Sequence, residues 1–383
     1  MAPPRSRVSL VGSAASIYLD ALRGMAALVV FYGHSWLGLA GPPSGGGSPW
    51  YLYLAGFGRQ AVMVFFALSG FLVGGGALRR IRNGKFAWPD YVLQRMTRLY
   101  VVLIPALLLG LFWDRLGAAI AGVGGIYGGH FPSFVNWNIP QRLGWRIGIG
   151  NLFFLESRWF RTFGSNSVLW SLVCEFWYYL LFPCLVLAVR ERQLSRRVLY
   201  LAASAVAIYL GGRDVLYDFP AWLAGVAVYL APKPGRRRSW LVPAGIGGLI
   251  GASCLSSSVS SALNVYLADY LAAFGAAACL YAFVHHPPPA PRRIFAAAAG
   301  HFASISYTLY LVHLPLLVFL EAVWIGPHPW PRDGHHIMLW GVTVIAVFAY
   351  AELIWFCFES RTDAVRRWLW PRCIRDKAVA AQA

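Results

Sequence analysis

Charge is what this sequence has least of. Only 13% of its 383 residues are Asp, Glu, Lys or Arg, about half the share that a soluble domain carries. Acids are scarcest, 15 against 33 bases. Apolar runs therefore continue uninterrupted for lengths that cover a bilayer core of about 30 Å. Folded in water, such helices would be apolar all round with no face for solvent, which excludes a soluble globular protein. Cysteine is also sparse and unpaired in sequence. Of the six, none forms a CxxC, and Cys174, Cys184, Cys254, Cys279 and Cys357 lie in apolar segments, as small core side chains do. That excludes a disulfide framework and a zinc knuckle. His285, His286, His301, His328, His335 and His336 fall in or near loops, without acids at metal-ligand spacing, so no metal is expected. GxSxG, a P-loop, a dinucleotide fingerprint and any internal repeat are all missing.

What remains is 58% hydrophobic and carries a net charge of +18. In a soluble protein that charge would point to nucleic acid. Here the bases cluster over 79–98, 190–197, 233–238, 292–293 and after 359, between apolar runs. This is the positive-inside distribution, and no nucleic-acid partner is expected. The runs predict an all-α, polytopic helical bundle of about ten spans with both termini cytosolic. The spans fall near 18–40, 52–78, 97–117, 167–189, 198–211, 214–231, 240–259, 262–284, 303–325 and 337–358. The first is read as a retained span, not a cleaved signal. Residues 1–17 make a cytosolic segment, 18–361 one transmembrane domain and 362–383 a cytosolic tail ending AVAAQA. The stretch 145–157 reads as interfacial, GPPSGGGSP (41–49) as an outside turn and HHPPPAPRR (285–293) as a stiff cytosolic one. The long connection over 118–166 is a candidate lid or acceptor site.

Ionisable groups inside spans cost several kcal/mol unless paired or wet, so each is a functional candidate. Arg23 and His34 are eleven residues apart in YLDALRGMAALVVFYGHSW. That spacing puts both on one helix face with a rise of about 16 Å, and Asp20 one turn earlier can hold Arg23. Arg95 and Arg98 share a face at the expected cytosolic mouth, where two guanidinium forks suit phosphate oxygens. Glu175 lies about 12 Å in from the other side, at a depth similar to that of His34. A carboxylate beside an imidazole fixes its tautomer. Trp170, Ser171, Tyr178 and Tyr179 surround Glu175 with groups suited to a sugar or a thioester. Ser306, Tyr310 and His313 share one stripe, with Tyr307 beside it. Glu321, Glu352 and Glu359 read mainly as pairing or capping groups. Taken singly, each group also has a plain structural explanation: a snorkelling arginine, a positive-inside cap or a polar seam between helices.

Together, these residues resemble the acyltransferase family 3 membrane proteins, which include O-antigen, exopolysaccharide and nodulation-factor acetyltransferases. Arg23 and His34 match the first-span signature and FFALSGFLV (65–73) the second span. Arg95 and Arg98 match the RxxR motif, WSLVCEFWYYLLFP (170–183) the glutamate motif and SYTLYLVHLP (306–315) the late tyrosine–histidine motif. ELIWFCFESR (352–361) is similar to the closing segment, with Ser360 where Pro is common. The resemblance covers about 18–361. It implies a helical bundle of about ten spans in a cell membrane, bacterial and inner by family habit. It also implies a cytosolic acyl-CoA donor, most often acetyl-CoA, and transfer dependent on His34 with the arginines handling the donor.

The expected mechanism follows. Arg95, Arg98 and Arg23 hold the phosphates of acyl-CoA, and the pantetheine arm spans a distance comparable with that rise of about 16 Å. His34 acts as general base on a hydroxyl of a carbohydrate or glycolipid acceptor, with Glu175 orienting it; a covalent acyl-histidine is the variant. The rival class is a transporter or flippase for an anionic or lipid-linked substrate. Against it stands the lack of Gly/Pro-broken spans at matching places in two halves.

Overall fold

The computed structural model describes residues 13–40, 54–129, 135–156, 158–232, 240–258, 262–325, 330–331 and 333–373. The loop 41–49, His328 and the AVAAQA tail lie outside them, as does most of the N-terminal segment. Among the described residues the secondary structure is helical, with one isolated bridge, Glu156 to Phe160, in place of any sheet.

In chain order the helices are α1 (Ala14–Ala40), α2 (Gly58–Ser69), α3 (Gly75–Arg82), α4 (Trp88–Ala121), α5 (Trp145–Leu152) and α6 (Leu169–Arg190). They continue with α7 (Leu194–Gly211), α8 (Arg213–Leu230), α9 (Leu241–Ser258) and α10 (Ala262–His285). The last are α11 (Arg293–Leu320), α12 (Gly334–Cys357) and α13 (Thr362–Cys373). A π-turn, Gly70–Gly74, joins α2 to α3, and a second, Glu321–Ile325, extends α11. Each of the ten expected spans is occupied by helix, and among the described residues 8 helices are long and apolar enough to cross a membrane. The two remaining are α8, which carries Arg213, Asp214 and Asp218, and α9, whose apolar stretch is the shorter Leu241–Ala252.

Two helices begin well before the expected limits. α4 starts at Trp88, not near 97, because Pro89 suits a first turn and Asp90 suits the positive end of the helix dipole. α11 starts at Arg293, not near 303. An apolar run marks the part of a helix inside hydrocarbon, whereas the helix itself continues until its backbone groups find other partners.

The chain divides into two compact units. The first comprises Met1–Val30, Gly56–Gly75 and Pro220–Ser306. Within it α2 and α8 touch backbone to backbone: a Cβ at Gly70 would collide with the Trp222 carbonyl, and one at Gly225 with that of Ala67. Small residues allow this approach where no water-driven force acts between helices. Trp222 Nε1 donates to Ser69 Oγ at 3.1 Å. The intramembrane Arg59 is accounted for by Asp269, which is fully buried and meets it at 2.7 Å. The stiff turn after α10 is pinned by Tyr18, whose hydroxyl donates to the Pro289 carbonyl at 2.8 Å.

The second unit comprises Phe31–Ala55, Gly76–Phe219 and Tyr307–Ala383. In it α6 and α7 pair, joined by a three-residue turn. The long connection after α4 is tied down where it is described. Asn151 Nδ2 donates to the carbonyls of Ile147 and Arg161, both at 2.9 Å, and Trp137 Nε1 donates to that of Gly164 at 3.0 Å. Buried Asp114 accepts from the Ser165 amide at 2.8 Å and its hydroxyl at 2.7 Å. α5 has eight residues, a rise of about 12 Å that cannot cross a bilayer. Trp145 and Ile149 on it and Phe153 beyond it are exposed, as an interfacial segment requires.

Candidate active site

The second unit gathers most of the expected site residues into one polar seam. At one end His34 Nδ1 stands 2.8 Å from His313 Nε2. The rings are stacked, centroids 5.1 Å apart and planes 16° from parallel. His313 Nδ1 in turn lies 2.8 Å from the Leu309 carbonyl oxygen. A carbonyl only accepts, so in neutral His313 the proton sits on Nδ1 and the lone pair on Nε2. That lone pair accepts from His34 Nδ1–H. The lone pair of the neutral His34 ring is thereby placed on Nε2. His313 has no exposed surface, whereas His34 is only partly covered, so His34 is the more accessible of the two rings. Phe31 packs edge-on against His313, 5.8 Å between centroids, and holds its plane.

Ser171, Glu175 and Tyr179 follow at steps of four along α6 and line one face. The Ser171 and Tyr310 hydroxyls meet at 2.7 Å, and Tyr310 is 6.3 Å from His313, ring centroid to centroid. Tyr179 donates to Glu175 Oε2 at 3.1 Å. Trp170 is half-buried in the first turn of the same helix.

Cations occupy the other end. The Arg95 guanidinium lies over the Tyr179 ring at 5.9 Å and that of Arg98 over Tyr307 at 5.3 Å. Tyr307 donates to the Leu99 carbonyl at 3.0 Å. The two arginines differ in their partners. Arg98 Nη1 is 2.7 Å from Glu359 Oε1, and the Thr308 amide donates to Oε2 of that carboxylate at 3.1 Å. Arg95 has no ion pair among the described residues, and its buried Nε has no hydrogen-bond partner.

Other expected residues are placed differently. His313 accepts the hydrogen bond that fixes the tautomer of His34, and Glu175 accepts from Tyr179. Ser306 is fully buried and donates to the Ala303 carbonyl on its own helix at 2.7 Å. Arg23 and Asp20 belong to the first unit, close enough for the charge of Arg23 to act on the Asp20 carboxyl. Glu359 pairs as expected, but Glu321 is buried, and among the described residues neither of its carboxyl oxygens has a hydrogen-bond partner. Sequence reasoning left Glu359 outside the site, although its place in the closing motif was a signal. Thr308 carried none, because a hydroxyl one step off the Ser306–Tyr310 stripe reads as packing.

Comparison with known proteins identifies the family. The family model of the acyltransferase domain matches residues 16–358. The chain belongs to the acyltransferase 3 family. It is 26% identical over 377 residues to nodulation protein 10 of Rhizobium leguminosarum bv. viciae, covering 91% of this chain and 95% of that protein. It is also 26% identical over 239 residues to the O-acetyl transferase of Shigella phage Sf6, 58% of this chain and 63% of that one. No solved structure matches. This family member is a multi-pass membrane O-acyltransferase.

Proposed function

We propose that the enzyme moves an acetyl group from acetyl-CoA to a hydroxyl of a carbohydrate or glycolipid acceptor, at the bacterial inner membrane. Residues 18–361 form the transferase domain, and the positive-inside distribution supports ten crossings with both termini cytosolic. The observation that carries the reading is the His34–His313–Leu309 chain of contacts, which puts the proton of His34 on Nδ1 and its basic lone pair on Nε2.

In this mechanism His34 Nε2 takes the proton of the acceptor hydroxyl as its oxygen attacks the thioester carbonyl carbon. The tetrahedral intermediate collapses with loss of the C–S bond. The thiolate leaves and takes the proton back from His34, so the products are the O-acyl ester and a free thiol. While His34 is an imidazolium, His313 Nε2 still accepts from its Nδ1–H, and the charge is stabilised where it forms. His313 is a positioning residue. At the far end Arg95, which has no ion pair among the described residues, offers its guanidinium to the donor phosphates, with Arg98 beside it. From Tyr179 to Ser171 the α6 stripe rises about 12 Å, a stretch that a pantetheine arm can bridge between phosphate and thioester.

The test uses purified protein in detergent with radiolabelled acetyl-CoA and a lipid-linked saccharide fraction. His34→Ala should lower transfer by at least about a hundredfold, the usual contribution of a general base, with unchanged thermal unfolding. Full transfer by that variant would overturn the proposal.

A further inference from the structure

The turn between α3 and α4 encloses a cleft of about 350 Å³ lined by Arg79, Arg80, Asn83, Lys85, Asp90 and Gln94. Local backbone chemistry builds it. α3 ends with Gly84 at φ +66°, the Gly84 amide donating to the Ile81 carbonyl at 3.2 Å and the Lys85 amide to that of Arg80 at 2.9 Å. This glycine-capped ending turns the chain back over the helix, so Lys85 returns beside the two arginines. Phe86, Trp88 and Tyr91 pack ring on ring and fix the returning strand of chain, with Phe86 5.2 Å from each of the others.

Three cations thus face one cleft, with Asp90 the one carboxylate in its lining. Among the described residues no carboxylate pairs with Arg79, Arg80 or Lys85. A plain positive-inside cap would splay such side chains into water. Instead Arg80 is half-buried and its Nη2 donates to Gln94 Oε1 at 3.2 Å, which aims the guanidinium across the cleft. The N-terminus of α4 opens on the same side and adds the positive end of its dipole. Buried Tyr91 lies within electrostatic reach of both Arg80 and Arg95, so the cleft adjoins the cationic end of the seam.

We propose that this cleft binds the nucleotide end of the acyl-CoA donor, taking its 3′-phosphate, while Arg95 takes the pyrophosphate. The inference rests on the acyl-CoA reading above. A phosphate monoester is the shared chemistry; the headgroup of phosphatidic acid is its other source at a membrane surface.

Calorimetry on the full chain in detergent separates these possibilities, with CoA, dephospho-CoA and short-chain phosphatidic acid as ligands. Wild type should bind CoA at least about tenfold more tightly than dephospho-CoA, as charge-assisted hydrogen bonds to one phosphate predict. In Arg79→Gln/Lys85→Gln that preference should vanish with dephospho-CoA affinity unchanged, which also shows that the variant is folded; the single change Lys85→Gln should show part of the loss. Equal binding of CoA and dephospho-CoA by wild type overturns the cleft assignment and leaves the donor reading standing. Binding of neither nucleotide overturns both. Phosphatidic acid binding that disappears in the variant, without CoA preference in wild type, makes the cleft a lipid site and overturns the proposal.

Discussion

At the scale of single residues, burial and hydrogen bonding decide what each polar group is for. His34 and His313 are chemically identical, yet His313 accepts from the other ring while His34 donates to it, which places the His34 lone pair on Nε2. Glu156 shows the same rule outside the membrane-spanning helices. Burial pushes its carboxyl up to about 7, against the lowering effects of the Thr162 hydroxyl, which donates at 2.6 Å, and of Arg142; Asp214 adds a small upward push. The folded state therefore holds this proton after the unfolded chain has lost it. Stability should be greatest below the ordinary glutamate range and fall as pH rises toward about 7, by at most about 3 kcal/mol. Thermal unfolding in detergent from pH 5 to 8 checks this. Glu156→Gln should flatten the profile, and an unchanged slope would show that other groups carry it.

At the scale of elements, ion pairs and close backbone contacts hold the helices in register. Arg98 on α4, Thr308 on α11 and Glu359 just after α12 meet at one carboxylate whose side chain is 2% exposed. Removing the cation leaves that charge buried without its partner, so Arg98→Ala should cost about 3–5 kcal/mol. Adding Glu359→Gln to the same chain should restore much of it, because a neutral amide tolerates burial and still accepts from Thr308. Apparent melting temperatures of the single and double variants give the answer; strictly additive losses would mean that the pair is not coupled. The two π-turns, Gly70–Gly74 and Glu321–Ile325, each shift the helical phase by a step. No apolar run foretells such a shift, since hydropathy reads length and not hydrogen-bond register.

At the scale of the whole molecule, the distribution of Lys and Arg predicts the orientation. In a cysteine-free background expressed in cells, Arg146→Cys should react with a membrane-impermeant maleimide from outside, and Arg82→Cys only after lysis. The reverse pattern would invert the topology. Membrane class, the helices and the membership of a family were legible in the sequence, because scarcity of charge and period of hydrophobicity act along the chain and need no neighbours. The candidate site was legible as a set of costly residues: His34, Glu175, Arg95, Arg98, Tyr310 and His313 all stood out because hydrocarbon penalises them. Their pairing was not. That His313 meets His34, that Arg98 pairs with Glu359 while Arg95 lies over Tyr179, and that Lys85 folds back over Arg79 and Arg80 depends on contacts between residues far apart in sequence or on a backbone turn. Sequence determines which groups must find partners, because desolvation is a property of each side chain; only the tertiary structure decides which partner each finds, because that depends on distance and direction.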